Sequence, residues 1–548
     1  MWPPVQAQTT PEPTPETAST KLGSITGRVL VDGQAVNNAS IVVTRVGAPR
    51  PTRFSPTNDN GDFEAKGLEA GVYQLIVSAP GYVASADQET YYRAGDFVTL
   101  TMQKGGVITG KVLNAADEPV IAVRVRAIRI RDENGKPVFT SGWNPDRVTD
   151  DRGVYRLFGL RPGTYLVAAG GRGLSAFGIN GYDHDAPTYA PSSTRDTATA
   201  ISLAAGEEKT IDIHYRSGAG HRVSGSVNAA VSQHSPWISI MLARLINGVP
   251  DAQMSTYQNS GAKGFEFNGV EDGDYMMWAQ YAPAPDDVHA SDPRRITVKG
   301  ADITGVVLDA KPLASIAGEL VLIPPTAEAC KGKRQPSFNE TVIAVQRKQK
   351  QASKAEPEVT PHIPTRESAQ VTADKSAGFV LRSLAPGQYE FAVRFFANDW
   401  YLQSINQRTS DLARSALTLK SGERATGVKV TLAGGAATLS GKVESPDDQP
   451  LPATLFVYLV PAEKEKGDDP LRFSVAPVDA DGLFALEQVA PGRYWLIAKV
   501  DNLKSNKSLR SPDAADARVK LRREAESAMA EVALEPCQNV TGHKLVFK

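Results

Sequence analysis

Seven histidines are the side chains of this chain best suited to holding a catalytic metal. A zinc peptidase site needs two histidines and a glutamate around the ion and typically opens with His-x-x-Glu. No histidine here is followed by a glutamate three residues later. We therefore expect no peptidase, no metal site and no cofactor around the seven, which are His184, His214, His221, His234, His289, His362 and His543.

His184 has the most suggestive surroundings of the seven, because it stands between Asp183 and Asp185. Two carboxylates and an imidazole could share a cation. A single histidine between two aspartates in a polar loop is more often ordinary surface, and we adopt that interpretation.

Cys330 and Cys537 are the only cysteines. Two are too few for a metal cluster of the Cys-x-x-Cys kind. In an oxidising compartment they could form one long-range disulfide, and otherwise they are two buried or unpaired thiols. The spacing alone does not decide between these alternatives.

Aromatic residues outside the regular strand pattern are the candidates for carbohydrate binding. The CH groups of a pyranose stack on an aromatic face, while nearby amides and carboxylates bond the hydroxyl groups. The alternative is that such aromatics only cover one end of a β-domain. The candidates are Tyr91, Tyr92, Trp143, Tyr182, Tyr189, Trp400 and Tyr401.

The charge balance argues against some classes of partner. The chain has 60 basic and 61 acidic residues, for a formal net charge of −1. Such a chain has no overall field to hold a phosphate backbone, so we expect no nucleic acid partner. The sequence has no apolar run long enough to cross a bilayer, so we expect no membrane span.

These candidate residues lie on a scaffold that repeats five times. Each repeat has a turn glycine, an alternating apolar strand and a second turn that ends in Gly-x-Tyr. Alternation with a period of two is typical of a strand with one face on a core. The five phrases run over 61–73, 153–165, 264–275, 378–389 and 482–494.

A second short pattern precedes each phrase. It is an apolar strand with a glycine in its middle, as in Ile25-Thr26-Gly27-Arg28-Val29. Glycine weakens a strand and usually marks a bulge or a close backbone approach, so we expect a kinked first strand in each repeat. The same position is occupied by Gly110, Gly225, Gly318 and Gly441 in the other repeats.

Six or seven short strands in about 80 to 120 residues, with no helical pattern between them, predict a Greek-key β-sandwich. The pattern Asp-x-x-Gly-x-Phe, Leu-x-Pro-Gly-x-Tyr and Ala79-Pro80-Gly81-Tyr82 resembles the carboxypeptidase regulatory-like domain. The resemblance implies a transthyretin-like, seven-stranded sandwich of the carbohydrate-binding-like group, common in exported bacterial proteins. It is weakest in repeat 3, where Glu271-Asp272-Gly273 replaces Pro-Gly.

We therefore predict an all-β fold, a tandem array of five Greek-key sandwiches of the seven-stranded type with one short C-terminal helix. The basic stretch Gln346 to Lys350 indicates a solvated insert in repeat 4. The expected organisation is a Pro/Thr tether at 1–21, sandwiches at 22–104, 105–217, 218–310, 311–434 (with a polar insert at 331–370) and 435–548, and a helix at 513–529.

The expected function is non-enzymatic. We expect an exported protein that binds carbohydrate or another component of the bacterial envelope, such as an envelope protein. The alternatives are a structural stalk or adhesion scaffold, and an accessory subunit of a separately encoded peptidase or transporter. Val5-Gln6-Ala7-Gln8 resembles the small-residue end of a secretory signal, which favours a periplasmic, extracellular or cell-surface location. The ligand and the oligomeric state are not specified by the sequence.

Overall fold

Over the residues that it describes, the computed structural model is all-β with one α-helix near the C-terminus, which confirms the predicted fold class. Its strands fall into five successive groups, called units 1 to 5 below. The structure describes residues 22–48, 50–85, 91–138, 146–171, 181–229, 237–246, 249–259, 264–284, 287–348, 367–445, 450–452, 454–501 and 515–547.

Unit 1 contains nine strands: β1 (Gly23–Val31), β2 (Gln34–Ala35), β3 (Ser40–Arg45), β4 (Arg53–Pro56), β5 (Asp62–Leu68), β6 (Val72–Ser78), β7 (Tyr82–Ala84), β8 (Tyr91–Arg93) and β9 (Phe97–Lys104). One sheet has the order β2-β1-β9-β7, with β5 also paired to β1, and the other has the order β4-β3-β6-β8. The core lies between these two sheets.

Unit 2 has the same two-layer plan. Its strands are β10 (Gly106–Leu113), β11 (Arg124–Arg131), β12 (Asp146–Val148), β13 (Val154–Leu160), β14 (Gly163–Ala169), β15 (Thr188–Tyr189), β16 (Ile201–Leu203), β17 (Glu208–Thr210) and β18 (Ile213–His214). One layer joins β13, β10, β17 and β18, and the other joins β12, β11, β14, β15 and β16.

Unit 3 differs because its eight strands form one continuous sheet. They are β19 (His221–Asn228), β20 (Trp237–Ile246), β21 (Val249–Asn259), β22 (Phe265–Val270), β23 (Gly273–Ala284), β24 (Asp287–Ser291), β25 (Arg294–Val298) and β26 (Ile303–Pro312). The order is β21-β20-β23-β24-β26-β19-β22, with β25 also paired to β23. The two end strands approach each other, so the sheet folds over its own core.

Unit 4 returns to two layers. Its strands are β27 (Ala314–Ile323), β28 (Val342–Arg347), β29 (Ser368–Thr372), β30 (Gly378–Leu384), β31 (Gly387–Arg394), β32 (Trp400–Gln407), β33 (Ser410–Asp411), β34 (Leu417–Leu419) and β35 (Arg424–Gly434). The layers are β30-β27-β35-β32-β33 and β29-β28-β31-β34.

The prediction of a solvated insert at 331–370 is wrong for the parts of this segment that form strands. Residues Val342–Arg347 form β28, an inner strand of the second layer, and Val342, Ile343 and Val345 are buried. The apolar residues of this segment place it in the sheet. The basic residues beside them are the reason that the sequence predicted a solvated loop. Residues 349–366 of the predicted insert lie outside the described residues.

Unit 5 contains β36 (Ala437–Glu444), β37 (Leu455–Pro461), β38 (Ser474–Pro477), β39 (Leu483–Val489), β40 (Gly492–Val500), β41 (Glu531–Leu534), β42 (Asn539–Val546) and the helix α1 (Ala515–Ala528). Its layers are β39-β36-β42 and β38-β37-β40-β41. The helix packs on the outer face of the second layer through Leu521 and Ala525. The apolar residues Val519 and Met529 are exposed.

The first strand of each unit runs parallel to the last strand, which in unit 2 is divided into β17 and β18, and the opening glycine explains how closely they approach. A β-carbon on Gly27 would collide with the carbonyl oxygen of Val98 and lie 2.7 Å from the ring of Phe63. The same carbonyl collision recurs at all five opening glycines. In units 3 to 5 the irregularity is in the last strand, where one residue of the first strand lies opposite two residues of the last. The predicted kink of the first strand is therefore replaced there by a bulge in its partner.

The tyrosine of each Gly-x-Tyr turn forms a tyrosine corner, in which the hydroxyl donates to a backbone carbonyl four residues upstream. Burial raises the pKa of Tyr165 to about 12 and also raises the pKa of the other four tyrosines. Each hydroxyl therefore remains a donor through the neutral range. The pairs are Tyr73 with Glu69, Tyr165 with Arg161, Tyr275 with Glu271, Tyr389 with Ala385 and Tyr494 with Ala490.

An arginine lies against the same turn in every unit, and the sequence patterns did not reveal it. In units 1 to 4 it stands directly opposite the corner tyrosine in the neighbouring strand. In unit 5 Pro461 takes that place, and Arg472 reaches the turn from a 3-10 helix and donates to the carbonyl of Pro491 at 2.9 Å. The five residues are Arg45, Arg129, Arg244, Arg347 and Arg472.

Candidate binding cleft

Two of the aromatic candidates for sugar stacking are core residues. Trp400 is 1% exposed and packs inside unit 4, and Tyr189 is 4% exposed in unit 2. Neither offers a ring face to a ligand. The sequence placed them outside the repeated core positions, but both lie in strands, where alternation turns their rings inward.

Three further candidates are half-buried in three different units. Tyr182 packs edge-on against Tyr215, with ring centroids 5.6 Å apart, and Tyr92 packs on the core of unit 1. Tyr401 follows Trp400 on β32. The structure does not bring these residues together, and Trp143 lies outside the described residues.

Tyr91 has a different role, because it joins unit 1 to unit 4. Its hydroxyl donates to Oε1 of Gln370 at 2.5 Å, and the guanidinium carbon of Arg394 lies 4.9 Å from its ring centroid. Gln370 in turn donates from Nε2 to Oε1 of Gln74 at 3.2 Å. These residues are nearly 300 positions apart in the chain, so the contact is a product of tertiary folding.

An apolar cluster supports that contact between units 1 and 4. Val46 and Val72 of unit 1 are buried against Val342 of unit 4. The guanidinium carbon of Arg93 lies 5.0 Å from the ring centroid of Phe396. The chain therefore turns back on itself instead of continuing in a line from unit 1 to unit 5.

A cleft of about 1780 Å³ lies where units 1, 3, 4 and 5 meet, and it is called the inter-unit cleft below. Its lining includes Tyr91 and Gln74 from unit 1, β20, β21 and β23 from unit 3, the sheet faces of unit 4, and a short segment of unit 5. It is the place where side chains from four units face one space.

Unit 3 provides the aromatic wall of the inter-unit cleft. Trp237 is 57% exposed and Tyr257 is 48% exposed, and both line the cleft. Tyr281 of the same sheet is also part of the lining, but its side chain belongs to the core of unit 3, with its hydroxyl 3.2 Å from Nδ1 of His289. Trp237 was not among the aromatic residues predicted to bind carbohydrate. The alternation Trp237-Ile238-Ser239-Ile240 does indicate that its ring faces outward, because Ile238 and Ile240 are on the core side.

Uncharged polar side chains make up much of the remaining wall. Amides and hydroxyls can both donate and accept hydrogen bonds, which suits a ligand rich in hydroxyl groups. They come from units 1, 3 and 4, and include Ser239, Gln280, Gln346 and Ser368, together with Gln74 and Gln370, which are bonded to each other.

A disulfide joins unit 4 to the last part of unit 5. The Cα atoms of Cys330 and Cys537 are 5.4 Å apart and their sulfur atoms are bonded, across 207 positions of sequence. Gln488 of unit 5 also donates to the carbonyls of Phe395 at 3.2 Å and Ala397 at 3.4 Å. Units 4 and 5 are therefore joined by covalent and hydrogen bonds.

The loop around His184 is engaged in the contact between units 2 and 3. The carbonyl of His184 accepts the N–H of Gly220, and the Asp185 carboxylate accepts the hydroxyl of Tyr215 at 2.7 Å. Within the described ranges, no group of three or more histidine, cysteine, aspartate or glutamate side chains is arranged to hold a metal. The helices of those same ranges include none with the length and apolar character of a bilayer-spanning segment.

Comparison with known proteins gives a family for the first unit. A search of curated proteins returns no match. Among solved structures, a streptococcal ancillary pilin is 12% identical with a TM-score of 0.16, over 53% of this chain and 100% of the pilin. The minor pilin GBS52 of Streptococcus agalactiae is 11% identical with a TM-score of 0.20, over 35% of this chain and 95% of the pilin.

The shaft pilin SpaA of Lactobacillus rhamnosus GG is 13% identical with a TM-score of 0.18, over 36% of this chain and 98% of the pilin. Identities and TM-scores at this level support no conclusion about the role of the present chain. The family model gives a more definite result, because it matches a continuous segment that coincides with the strands of unit 1. Residues 24–103 match the model of the carboxypeptidase regulatory-like domain.

Proposed function

We propose that this protein is an exported, non-enzymatic β-sandwich protein that binds carbohydrate at the bacterial envelope through the inter-unit cleft. The observation that carries the proposal is the composition of the cleft wall, where two exposed aromatic rings stand beside amide and hydroxyl side chains. Aromatic faces and bifunctional polar groups are the two features by which proteins hold sugars.

The disulfide supports the proposed location. Disulfides persist in the periplasm and outside the cell, whereas thiols remain reduced in most cytosols. Cys330 and Cys537 are paired across the junction of units 4 and 5. Cell fractionation followed by mass measurement with and without reductant tests this part, and a cytosolic protein with two free thiols would contradict it.

The contact between units 1 and 4 favours a receptor over a stalk. In a rod of five sandwiches each unit touches only its neighbours in sequence. Here Tyr91 and Gln370 bring together two units that are separated by two others. Small-angle scattering should therefore give a compact particle, and a maximum dimension equal to five sandwiches end to end would restore the stalk.

Binding to carbohydrate is tested with the full chain and a panel of insoluble and soluble polysaccharides. We expect retention on at least one of them and reduced retention for Trp237→Ala. Phe97→Ala is the matched control, because Phe97 is 70% exposed on unit 1 and is not part of the cleft lining. Absence of binding across the panel, or equal loss with both variants, would contradict the proposal.

A further inference from the structure

We infer that the ligand of the inter-unit cleft is an uncharged glycan, held on an aromatic platform formed by Trp237 and Tyr257. The inference rests on the proposed function and adds the chemical class of the sugar. It depends on how the charged side chains of the cleft wall are already engaged.

The cations at the unit 4 and unit 5 side of the cleft are paired. Arg414 donates from Nε to Asp411 at 2.9 Å and from Nη1 to Asp468 at 2.6 Å. Arg518 of α1 is buried, with Nη2 3.5 Å from the second oxygen of Asp468. An acidic sugar at this end would compete with carboxylates that are already in place.

The other cations of the wall are engaged in the same manner. Lys348 lies 3.0 Å from Glu390, and Arg45 lies 2.9 Å from Glu69. Arg382 is also held by a contact within the protein. The positive charges of the cleft are therefore offset by charges or contacts of the protein itself.

The carboxylate of Asp374 is similarly occupied. Its Oδ1 accepts the hydroxyl of Ser376 and the N–H groups of Ser376 and Gly378. These three bonds hold the carboxylate in its own turn. Each of these charged wall residues thus already has a partner within the protein.

The platform is set by the register of unit 3. Ser239 pairs with Tyr257 in β21 and with Gln280 in β23, and Trp237 is two residues before Ser239. Trp237 and Tyr257 are thus diagonal neighbours on one sheet face, with Cα atoms roughly 7–8 Å apart by ordinary sheet geometry. Ser239 and Gln280 add polar groups to the same face.

A ligand with hydroxyl groups and no charge fits this surface best. Its apolar CH faces would cover the two rings, and its hydroxyls would meet the amides and Ser239. A polyanion would be attracted only by displacing existing ion pairs, and its binding would weaken steeply with salt. Affinity for a neutral glycan should be nearly independent of salt.

The experiment is calorimetric titration of the full chain with a soluble neutral β-glucan, a galactomannan and an acidic polygalacturonate at two salt concentrations. We expect binding to a neutral polymer, little change with salt, and about tenfold weaker affinity for Trp237→Ala and for Tyr257→Ala. Phe97→Ala should bind as the unaltered chain does. Circular dichroism of each variant verifies that the fold is retained.

Salt-sensitive binding to polygalacturonate that equals or exceeds binding to the neutral polymers would overturn the inference and leave the carbohydrate role standing. If binding to a neutral polymer is unchanged by Trp237→Ala and by Tyr257→Ala, these two rings do not form the binding platform. No binding to any of the three polymers, or to the wider panel, would instead remove the proposed function on which the inference rests.

Discussion

Unit 3 and the other four units share a set of structural residues, called the frame below, but arrange their strands differently. All five have the opening glycine, the tyrosine corner and the arginine at the turn. In units 1, 2, 4 and 5 two sheets enclose the core, whereas unit 3 is one folded sheet of eight strands. Unit 3 also carries the exposed aromatics of the cleft. The frame residues hold each unit together, and departures from the frame mark contacts beyond the unit.

The second turn of unit 3 shows this most clearly. Glu271 and Asp272 are the two residues before the turn glycine, where units 2, 4 and 5 have Arg161-Pro162, Ala385-Pro386 and Ala490-Pro491. Arg244 donates to Glu271 at 2.7 Å and also lies 3.3 Å from Asp196 of unit 2. Asp272 lies 3.1 Å from Nε2 of His221 and accepts the N–H of Gly300. A turn that weakens the family pattern thus builds the junction between two units.

The largest expected effect tests the shared frame. Gly225→Ala in unit 3 and Gly441→Ala in unit 5 should each destabilise the unit by roughly 3–5 kcal/mol, because the added methyl group collides with a backbone carbonyl. Denaturant unfolding with limited proteolysis measures this. Gly218→Ala is the control, since no atom lies within 4 Å of an added β-carbon there. If Gly225→Ala left unit 3 stable while Gly441→Ala destabilised unit 5, the single sheet of unit 3 would not depend on its opening glycine.

The next prediction separates the two kinds of arginine. Arg244→Ala should cost about 3–5 kcal/mol, because it leaves the mostly buried Glu271 without its partner at 2.7 Å. Arg472→Ala should cost only about 1–2 kcal/mol, since it removes a hydrogen bond to a carbonyl and leaves no buried carboxylate. Thermal unfolding of both variants compares them. In the double variant Arg244→Met with Glu271→Leu much of the loss should return, and equal losses in the two single variants would contradict the distinction.

Alkaline pH should act on the tyrosine corners of all units alike. The folded-state pKa of Tyr165 is about 12 against an ordinary value of 10.0, because burial disfavours the phenolate. A raised pKa contributes stability that is complete below pH 10 and is lost as pH rises toward 12. We expect tyrosinate absorbance and loss of circular dichroism to rise together in that window.

Tyr275→Phe and Tyr494→Phe extend this test to single units. Each should cost about 1 kcal/mol at neutral pH, through loss of one hydrogen bond to a backbone carbonyl. Both variants should then lose less stability than the unaltered chain as the pH rises through the same window. Titration of all tyrosines near their ordinary pKa in the folded chain would refute the corner assignment.

The smallest effect concerns the residue that precedes the leucine or valine at the start of the second turn in each unit. Units 1 to 3 have glycine there with a φ near +70°, whereas Ser383 has a φ of 62°. Ser383→Gly should stabilise unit 4 by about 0.5–1 kcal/mol by relieving a left-handed conformation. Gln488→Gly is the comparison, because it relieves a φ of 56° but loses the bonds to unit 4. A gain for Gln488→Gly larger than for Ser383→Gly would contradict this explanation.

Sequence patterns captured much of the fold and little of the candidate site. The turn glycines, the alternating apolar residues and the helix predicted at 513–529 all correspond to observed elements, with α1 at Ala515–Ala528. The aromatic candidates fared differently, since Trp400 is in a core and Tyr91 is in a contact between units. The sequence does not show whether such an aromatic side chain faces solvent, a core or another unit, because this depends on the register of its strand.

The sequence by itself determined the five repeats, their turn glycines and the inward faces of the repeated strands, because these depend on turn chemistry and on a period of two along short segments. Only the tertiary structure decided which units touch, where the arginines meet the turns and that Trp237 and Tyr257 face a common cleft. Such contacts join positions as distant as Gln74 and Gln370, and no local pattern encodes a distance between residues that meet only when whole units pack.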